Sequence, residues 1–216
     1  PHNVRPILCG SISPEAAGWF KFPVESVDQF KGLKFRAAGL GGKIMQEMGA
    51  SVTVLPGGEL YQALEKGVLD GTEFSLPTVD KQLGFSQVAK FYHLPGWHQP
   101  STNQFLYVNT NSWDKLDDTQ KAQIETTCMA GTMYAISRAE ALQGAVLKEF
   151  QDDGVTAVQL PKDVLSALQE ATNVVLDRES EKDPMFKKII DSMRAFQEEN
   201  RDWKNLGYLP RDFGTE

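Results

Sequence analysis

The feature that most constrains this chain is a long helical periodicity between Asp117 and Phe150. Apolar side chains recur there every three to four residues or at multiples of that spacing, and Asp117 and Gln120 have the spacing of a capping box. A helix of that length extends about 50 Å, at roughly 1.5 Å per residue, which exceeds the width of a small domain. Such a helix must either kink or serve two lobes.

The chain before this helix alternates strand and helix patterns. Residues 33–38, 52–55 and 70–74 have the pattern of strands, and residues 43–48 and 59–66 have that of helices. This order predicts an α/β unit with parallel strands joined by right-handed crossovers. The other predicted elements are a strand over 4–9 with a turn at 10–14, a short capped segment over 24–32, two short strands around 94–100, a strand over 155–159, and helices that begin near 161 and 183.

Composition indicates a folded chain with a substantial core. The 216 residues are 41% hydrophobic and 24% charged, which excludes disordered, collagen-like and disulfide-scaffold classes and fits one large domain or two small ones. Acidic residues number 29 against 22 basic ones, and the net charge of −7 argues against a nucleic-acid partner. No stretch approaches the roughly 20 apolar residues of a membrane span.

Two sequence features that often mark a functional site, the cysteines and a glycine-rich segment, do not predict one in this chain. Cys9 and Cys128 do not have metal-ligand spacing, and a single disulfide and two buried thiols are both open. The glycine-rich residues 39–42 stand between a predicted strand and helix, but they match neither the phosphate-loop nor the dinucleotide pattern. A nucleotide site is therefore not predicted.

Three charged residues are candidates for a ligand site. Arg36 is predicted to point to the face of a strand opposite to that of Phe35, at the carboxyl end of the strand, where open α/β sheets place ligands. The planar guanidinium group of an arginine matches the two oxygens of a carboxylate. The alternative is a surface arginine that lies over the sheet. Glu73 ends the third predicted strand in an apolar neighbourhood, so it needs a partner, either Arg36 or a cation. Glu15 has a simpler explanation as a helix start, because residues 13–15 form a cap, a proline and a first-turn acid.

An aromatic loop is the remaining candidate. Trp97 and His98 lie between two prolines, and an aromatic wall with polar tips suits a small-molecule pocket. A single tryptophan more commonly packs against a core. The three histidines are too scattered to predict a metal site by themselves, and no nucleophile–base set stands out.

Several separate motifs in register resemble one family. They are residues 14–20 (PEAAGWF), 31–36 (KGLKFR), 57–67 (GGELYQALEKG) and 69–74 (LDGTEF), followed by the loop 94–98 (LPGWH) and the long helix. The chain is similar in these motifs to the DctP-type substrate-binding subunits of TRAP transporters, and most to the branch that binds 2-oxo acids and lactate. Relatives carry on the order of a hundred further residues before the segment that matches Pro1, an ordinary size for a domain.

The resemblance implies a two-lobed α/β periplasmic binding protein with interlobe strands and a long spine helix, and with the N-terminal part of one lobe missing. The implied domains are 1–74, an α/β lobe with Arg36 and Glu73; 75–113, crossover strands that contribute to the second lobe; 114–154, the spine helix across both lobes; and 155–216, the C-terminal strand and helices. It also implies a secreted, periplasmic protein whose signal peptide and N-terminal region lie outside this chain.

The resemblance also assigns site residues. Arg36 matches the family's carboxylate clamp, and the other implied substrate-binding residues are Phe74, Trp97, His98 and Trp19. In this branch a cation, Ca²⁺ or Na⁺, bridges protein and substrate, and its implied ligands are Glu73, the carbonyl of Phe74, Glu15 and Gln99. Relatives often have glutamine where this chain has Glu15. The extra carboxylate favours Ca²⁺ over Na⁺, because a hard divalent ion suits a carboxylate-rich oxygen shell.

The implied function is that of an extracytoplasmic receptor and not an enzyme. It delivers a small 2-oxo or 2-hydroxy monocarboxylate, of the pyruvate or lactate class, to TRAP membrane permease subunits. The alternatives are a receptor for a larger sugar acid or dicarboxylate, and an enzyme that uses Glu73 as a base. A further alternative is an interaction module, in which residues 186–203 are a candidate homodimer contact.

Overall fold

The structure is a computed structural model that describes residues 2–210 and residue 213. The chain divides into two compact units, Pro1–Leu168 and Gln169–Glu216. The strands are β1 (Val4–Ile12), β2 (Gly18–Phe20), β3 (Lys34–Arg36), β4 (Ser51–Thr53), β5 (Gly71–Thr72), β6 (Phe91–Leu94), β7 (Thr102–Asn109) and β8 (Thr156–Gln159).

The helices follow the predicted order. They are α1 (Gly39–Glu47), α2 (Gly57–Glu65), α3 (Pro77–Asp80), α4 (Thr110–Trp113), α5 (Asp118–Asp152), α6 (Lys162–Lys182), α7 (Pro184–Glu199) and α8 (Arg201–Leu206), with short 3-10 helices at Val27–Phe30, Lys81–Leu83 and Phe85–Gln87. Of the helices in the described ranges, none is both long enough and apolar enough to cross a membrane.

The long helix predicted from the periodicity is confirmed as α5, an unbroken helix of 35 residues. Its capping box is also present: the Asp117 carboxylate accepts a hydrogen bond from the Gln120 amide at 2.8 Å, and the Gln120 side chain accepts one from the Asp117 amide at 3.0 Å. These two bonds satisfy backbone donors that a helix start leaves free.

A six-stranded sheet in the order β4-β3-β5-β2-β6-β8 forms the centre of the first unit. β3 is parallel to β4 and β5, which confirms the predicted parallel unit, and β6 is parallel to β8. β2 runs antiparallel to both of its neighbours, β5 and β6. Its three residues are all buried, so no alternation of polar and apolar side chains revealed this strand in the sequence.

Strand β2 joins two groups of strands in this sheet. Residues 75–113 are predicted to be crossover strands that contribute to a second lobe, and the structure places their strand β6 in the same sheet as β3, the strand that ends at Arg36. Within residues 75–113, only strand β7 pairs outside this sheet, with β1. The predicted domain boundaries stay predictions.

Strand β1 is longer than predicted. The sequence indicates a turn at residues 10–14, but β1 continues to Ile12 and pairs antiparallel with β7, with a register shift between Leu8 and Gly10. The shift leaves Cys9 as an extra residue, which is the geometry of a β-bulge. Cys9 forms a disulfide with Cys128 of α5, which decides between the two alternatives that the sequence left open.

An aromatic cluster packs between the sheet and α5. The ring of Trp19 lies 4.3 Å from that of Tyr92 and 5.0 Å from that of Phe150, between ring centroids. Leucine, alanine and valine side chains of α2, α5 and the adjoining loops complete this core, namely Leu60, Ala63, Leu64, Leu69, Val146 and Val155. The core fixes β2 and β6, and therefore the segments that precede and follow them.

The second unit contains the end of α6 with α7 and α8. The Asp183 carboxylate caps α7 by accepting hydrogen bonds from the amides of Met185 and Phe186. Arg194 and Asp177 form an ion pair at 2.8 Å. α7 also carries a row of exposed apolar side chains at helical spacing, namely Met185, Ile189, Met193 and Phe196.

Candidate functional site

Three irregular segments of the first unit meet around Glu15. The amide of Glu15 donates to the carbonyl of Gln99 at 3.1 Å, and the amide of Gly96 donates to the carbonyl of Glu15 at 2.8 Å. On the other side, the amide of Ala16 donates to the carbonyl of Ser75 at 3.0 Å. A side chain at Gly96 would collide with the Glu15 carbonyl, so only glycine permits this approach. Glu15 is thereby held between the end of β5 and the loop after β6.

No helix begins at Glu15. Residues 13–17 form an irregular link between β1 and β2, so the helix-start explanation of this acid is wrong. The two backbone bonds to Gln99 and Gly96 take the place of the helical bonds that the cap-like residues suggested.

Arg36 is the last residue of β3, and its guanidinium is held by three hydrogen bonds. Nη1 donates to Glu73 Oε1 at 2.8 Å and to the Glu73 carbonyl at 2.9 Å, and Nε donates to the Leu55 carbonyl at 3.1 Å. The Arg36 and Glu73 side chains are only 12% and 10% exposed. Arg36 is therefore a buried, oriented cation and not a surface arginine over the sheet.

The Glu15 carboxylate is only half satisfied by the protein. Its Oε1 accepts hydrogen bonds from the Thr102 hydroxyl at 3.2 Å and from the Gln99 amide nitrogen at 3.4 Å. Its Oε2 is buried and has no hydrogen-bond partner among the described residues. Burial raises the pKa of Glu15, an effect that the Thr102 hydrogen bond and His98 oppose and that the Glu73 charge reinforces.

The imidazole ring of His98 lies near the carboxylates of Glu15 and Glu73. Its Nε2 lies 3.6 Å from Glu73 Oε2 and 4.0 Å from Glu15 Oε2. Each of the three side chains offers one donor atom, and these three atoms all lie within 4.8 Å of one another. Both nitrogens of the His98 ring are buried without a hydrogen-bond partner in the described part of the chain.

This arrangement fits a bound cation. Oxygen ligands of Ca²⁺ lie about 2.3–2.6 Å from the ion, so two of its ligands are at most about 5 Å apart, and the three donors meet that limit. Two buried acids this close also repel each other unless a positive charge lies between them. Arg36 compensates one Glu73 oxygen, and Glu15 Oε2 is left for a further cation.

The structure brings most of the predicted site residues into one place. Phe74 lies beside the pair of Arg36 and Glu73, with its ring 5.6 Å from the guanidinium carbon. The ring of Trp97 lies 5.2 Å from that of His98. Gln99 directs its amide nitrogen to Thr102 and Glu15. That these residues bind substrate or cation stays a prediction.

Trp19 is the exception, because the structure does not leave its side chain accessible for the predicted substrate contact. Its side chain is fully buried in the aromatic cluster with Tyr92 and Phe150, and its indole nitrogen donates to Asp80 Oδ2 at 2.9 Å. A tryptophan whose ring and N–H are both used by the core has nothing left for a ligand. The sequence placed it at the site only through the resemblance, whose motif at residues 14–20 includes it.

Three groups near the site were missed in the sequence. Thr102 and the Leu55 carbonyl hydrogen-bond to Glu15 and Arg36, respectively, and Asp80 anchors Trp19 below the site. A threonine at a strand start and a backbone carbonyl carry no sequence signal. Asp80 is almost completely buried, but it is followed directly by Lys81 and Gln82, so the local sequence does not distinguish it from a surface acid.

The fold has close counterparts among solved structures. A TRAP transporter solute-binding protein from Bordetella bronchiseptica, a mixed-occupancy dimer with copurified calcium and picolinate in one site and an apo second site, is 30% identical, with a TM-score of 0.89 over 94% of this chain and 61% of that one. A TRAP periplasmic solute-binding protein from Pseudoalteromonas atlantica, with bound sodium and pyruvate, is 29% identical, with a TM-score of 0.79 over 93% and 61%. The fold is therefore that of the TRAP solute-binding proteins.

The chain belongs to the DctP family, the bacterial extracellular solute-binding proteins of family 7, whose model matches residues 16–183. A curated relative, the monocarboxylate 2-oxoacid-binding periplasmic protein of Nostoc sp. strain PCC 7120, is 32% identical over 207 residues, which are 96% of this chain and 57% of the relative. The family and the α/β fold class predicted from the sequence are confirmed. The chain spans between 57% and 61% of the length of these relatives.

Proposed function

We propose that this chain belongs to an extracytoplasmic receptor that binds a small 2-oxo or 2-hydroxy monocarboxylate, of the pyruvate or lactate class, without transforming it. The observation that carries the proposal is the buried Arg36–Glu73 pair beside the half-satisfied Glu15 carboxylate. The names of the relatives support it, since one binds monocarboxylate 2-oxo acids and another holds pyruvate with sodium.

Arg36 supplies the carboxylate clamp in this proposal. Its hydrogen bonds within the described residues use Nε and Nη1, which leaves Nη2 for a ligand carboxylate. The contacts with Glu73 and Leu55 fix the guanidinium plane before a ligand arrives, so little side-chain entropy is lost on binding. Phe74 covers one face of the guanidinium and supplies apolar surface for the rest of a short acid.

The test is a calorimetric titration of the protein with pyruvate and lactate in the presence of Ca²⁺. We expect Arg36→Ala to weaken binding at least tenfold, on the order of a lost charged hydrogen bond. Arg201→Ala is the matched control, because Arg201 is an exposed arginine of the second unit. Thermal unfolding of each variant checks that it is folded. Absence of binding across a broad panel of carboxylates, including sugar acids and dicarboxylates, would contradict the proposal.

The proposed receptor holds a cation, Ca²⁺ or Na⁺, between Glu15 and Glu73, with the Phe74 carbonyl and Gln99 as further ligands. Two carboxylates favour Ca²⁺ over Na⁺, because the higher charge of Ca²⁺ compensates both. We expect exhaustive chelation to reduce pyruvate affinity and Ca²⁺ to restore it more effectively than Na⁺. If chelation combined with replacement of Na⁺ by a large organic cation leaves the affinity unchanged, no cation takes part.

The proposed location is the periplasm, and the proposed partners are TRAP membrane permease subunits. Both follow from the family and from the periplasmic relative. Fractionation of cells that express the whole protein tests the location, and ligand uptake that requires both receptor and permease tests the partnership.

We further propose that the exposed row on α7 contacts a second copy of this chain. Met185, Ile189, Met193 and Phe196 form one apolar stripe at helical spacing, and the Bordetella relative is a dimer. Light scattering at several concentrations would detect a dimer, which we expect Ile189→Asp to dissociate. Lys188→Asp, at the neighbouring position, is the control for the added charge.

An enzyme with Glu73 as its base is not favoured. Glu73 Oε1 already accepts a hydrogen bond from Arg36 at 2.8 Å, so the protein engages this oxygen and does not leave it free to take a proton from a substrate. Recovery of the bound acid chemically unchanged after long incubation would agree with a receptor, whereas turnover of a 2-oxo acid would support the enzyme.

A further inference from the structure

The bulge of β1 carries the disulfide, and the proposed function uses neither of them. Leu8 pairs with Phe105 and Gly10 with Gln104, so Cys9 is the extra residue of β1. The same residue is covalently joined to Cys128 of α5. A bulge is one inserted residue, and its position decides which residues of the two strands face each other beyond it. A covalent bond at this residue therefore holds the register of the strand that follows.

The register beyond the bulge leads directly into the candidate site. Ile12 pairs with Thr102, and the Ser101 hydroxyl donates to the Ile12 carbonyl at 2.9 Å. The Thr102 hydroxyl in turn donates to Glu15 Oε1 at 3.2 Å. Without the bulge Thr102 would face Ser11, which displaces the end of β1 by one residue, about 3.3 Å, along β7. The position of the bulge therefore contributes to the placement of Glu15 against Thr102.

The helix at the other end of the disulfide is a fixed reference. Cys128 is 3% exposed. A methyl group built at Gly131, one turn later, would lie only 3.0 Å from the Cys9 carbonyl, so glycine permits the close approach of β1 to α5. Farther along the same helix, the ring of Phe150 packs against Trp19 in the aromatic cluster. The disulfide thus ties the bulge to a helix that the core holds in place.

An ion pair also links β1 to α5, but it lies before the bulge. Arg5 Nη2 and Glu125 Oε1 are 3.0 Å apart, and the two side chains are 49% and 45% exposed. Exposed ion pairs of this kind add little to stability, because water competes for both charges. This pair does not fix the register beyond Cys9.

We infer that the Cys9–Cys128 disulfide is a positioning element of the candidate site: it holds the bulge of β1 in place and thereby orders Glu15, so that breaking it weakens ligand binding. The effect on binding rests on the proposed function, whereas the effect on the strand does not. A dithiol such as dithiothreitol breaks the S–S bond, gives two electrons and two protons to the cysteines, and is itself oxidised to a cyclic disulfide. Cys9 is the more exposed of the two cysteines, which favours attack from its side.

The first experiment measures amide hydrogen exchange by NMR before and after reduction. Both states must be folded at the temperature used, because opening a cross-link between residues 119 apart also lowers global stability. We expect the protected amides of residues 10–12 to exchange at least about tenfold faster after reduction, and those of residues 4–8 to change by less than about threefold. Equal acceleration of both segments, or none in residues 10–12, would contradict the inference.

The second experiment is a calorimetric titration with pyruvate in the presence of Ca²⁺. Dithiothreitol is the reductant, because it has no carboxylate that could compete for Arg36. We expect reduction to weaken binding at least about fivefold, since a loosened Glu15 must be ordered again when the ligand binds. The double variant Cys9→Ser/Cys128→Ser should bind as weakly as the reduced protein and should not respond to dithiothreitol. Thermal unfolding of each form checks that it is folded.

Glu125→Gln is the matched control. It removes the ion pair with Arg5 and leaves the disulfide intact. We expect this variant to bind pyruvate as the wild type does and to lose the same factor in affinity on reduction. If Glu125→Gln weakens binding as much as reduction does, any loosened contact between β1 and α5 has this effect, and the inference about the bulge is wrong.

The two experiments separate this inference from the proposed function. If the oxidised and reduced proteins bind pyruvate equally well, the inference fails and the receptor proposal stands. If the oxidised protein binds no carboxylate with any cation, the receptor proposal fails, and hydrogen exchange alone decides whether the disulfide holds the bulge.

Discussion

Two acids of the first unit are equally buried but differ in how the protein satisfies them. Asp80, in the core, is 1% exposed, and Glu15, at the candidate site, is 4% exposed. Asp80 Oδ2 accepts hydrogen bonds from the Trp19 indole at 2.9 Å and the Tyr92 hydroxyl at 3.1 Å, and its Oδ1 accepts one from the Ser75 amide at 3.1 Å. Within the part of the chain that the structure describes, Glu15 accepts hydrogen bonds through Oε1, and its Oε2 accepts none.

The difference separates a structural acid from the acid that we propose as a cation ligand. Burial is the leading cause that raises the pKa of both groups, and it raises that of Asp80 to about 7. A shifted pKa therefore does not distinguish them. The distinction lies in the free carboxylate oxygen of Glu15, which faces a second acid and an imidazole. Substitutions at the two positions should consequently affect different properties.

The largest expected effect is that of Asp80→Ala on stability. The substitution leaves the Trp19, Tyr92 and Ser75 donors buried without an acceptor, and each costs about 1–3 kcal/mol. We expect the free energy of unfolding in urea at pH 6 to fall by roughly 4 kcal/mol or more. Asp202→Ala, at an exposed position, should change it by less than about 0.5 kcal/mol. A loss below about 1 kcal/mol for Asp80→Ala would mean that Asp80 does not anchor this core.

The second effect is the contribution of Asp80 to the pH dependence of stability. The raised folded pKa, about 7 against 3.8, means that the folded state binds the proton more tightly. The stabilisation is complete below pH 3.8 and is lost as the pH rises through about 7. The free energy of unfolding of the wild type relative to Asp80→Asn should fall by about 3 kcal/mol between pH 4 and pH 8.

This comparison cancels the opposite contribution of His93. Burial lowers the pKa of His93 to about 4, so it stabilises the fold above its usual value of 6.5 and destabilises it as the pH falls toward 4. Both proteins contain His93, so the difference between them reports Asp80. A difference that stays constant from pH 4 to pH 8 would contradict the assignment.

The sequence predicts the residues of the candidate site better than their surroundings. Arg36, Glu73 and Phe74 were found because a strand end and a family motif both select them, and α5 because its periodicity and capping box agree. Asp80 and Thr102 were missed because their roles depend on contacts with residues far away in the chain, Trp19 and Glu15. Contacts between residues that are far apart in the chain leave no local pattern in the sequence.

The errors in the fold have the same origin. β2 has three residues, all of them buried, and therefore no alternation of polar and apolar side chains. The extension of β1 through Gly10 depends on pairing with β7, about ninety residues later in the chain. Trp19 was assigned to the site from the family resemblance, but its side chain is completely buried in the core. Local sequence therefore identifies which groups are chemically unusual, and tertiary packing decides which of them meet.

A third prediction tests the contact that places Glu15. In Gly96→Ala the new methyl group collides with the Glu15 carbonyl, so the loop with His98 must move away. We expect a loss of about 2 kcal/mol in unfolding free energy and at least tenfold weaker metal binding. Gly58→Ala is the control, because no atom lies within 4 Å of its added methyl group and alanine favours a helix. If Gly96→Ala binds metal normally, this backbone contact does not place the site.

The smallest expected effect is also the most direct test of whether Glu15 differs in role from Asp80. Glu15→Gln replaces a desolvated carboxyl group, whose pKa is raised by burial, with a neutral amide that keeps an acceptor for Thr102. Without metal at pH 7.5 we expect the variant to be more stable than the wild type by about 1 kcal/mol, because no unpaired charge is buried. Added metal should stabilise it about 1 kcal/mol less than the wild type, which corresponds to roughly tenfold weaker binding. Glu65→Gln, at an exposed position of α2, should change neither quantity. A Glu15→Gln variant that is less stable without metal and equally stabilised by it would make Glu15 a structural acid like Asp80.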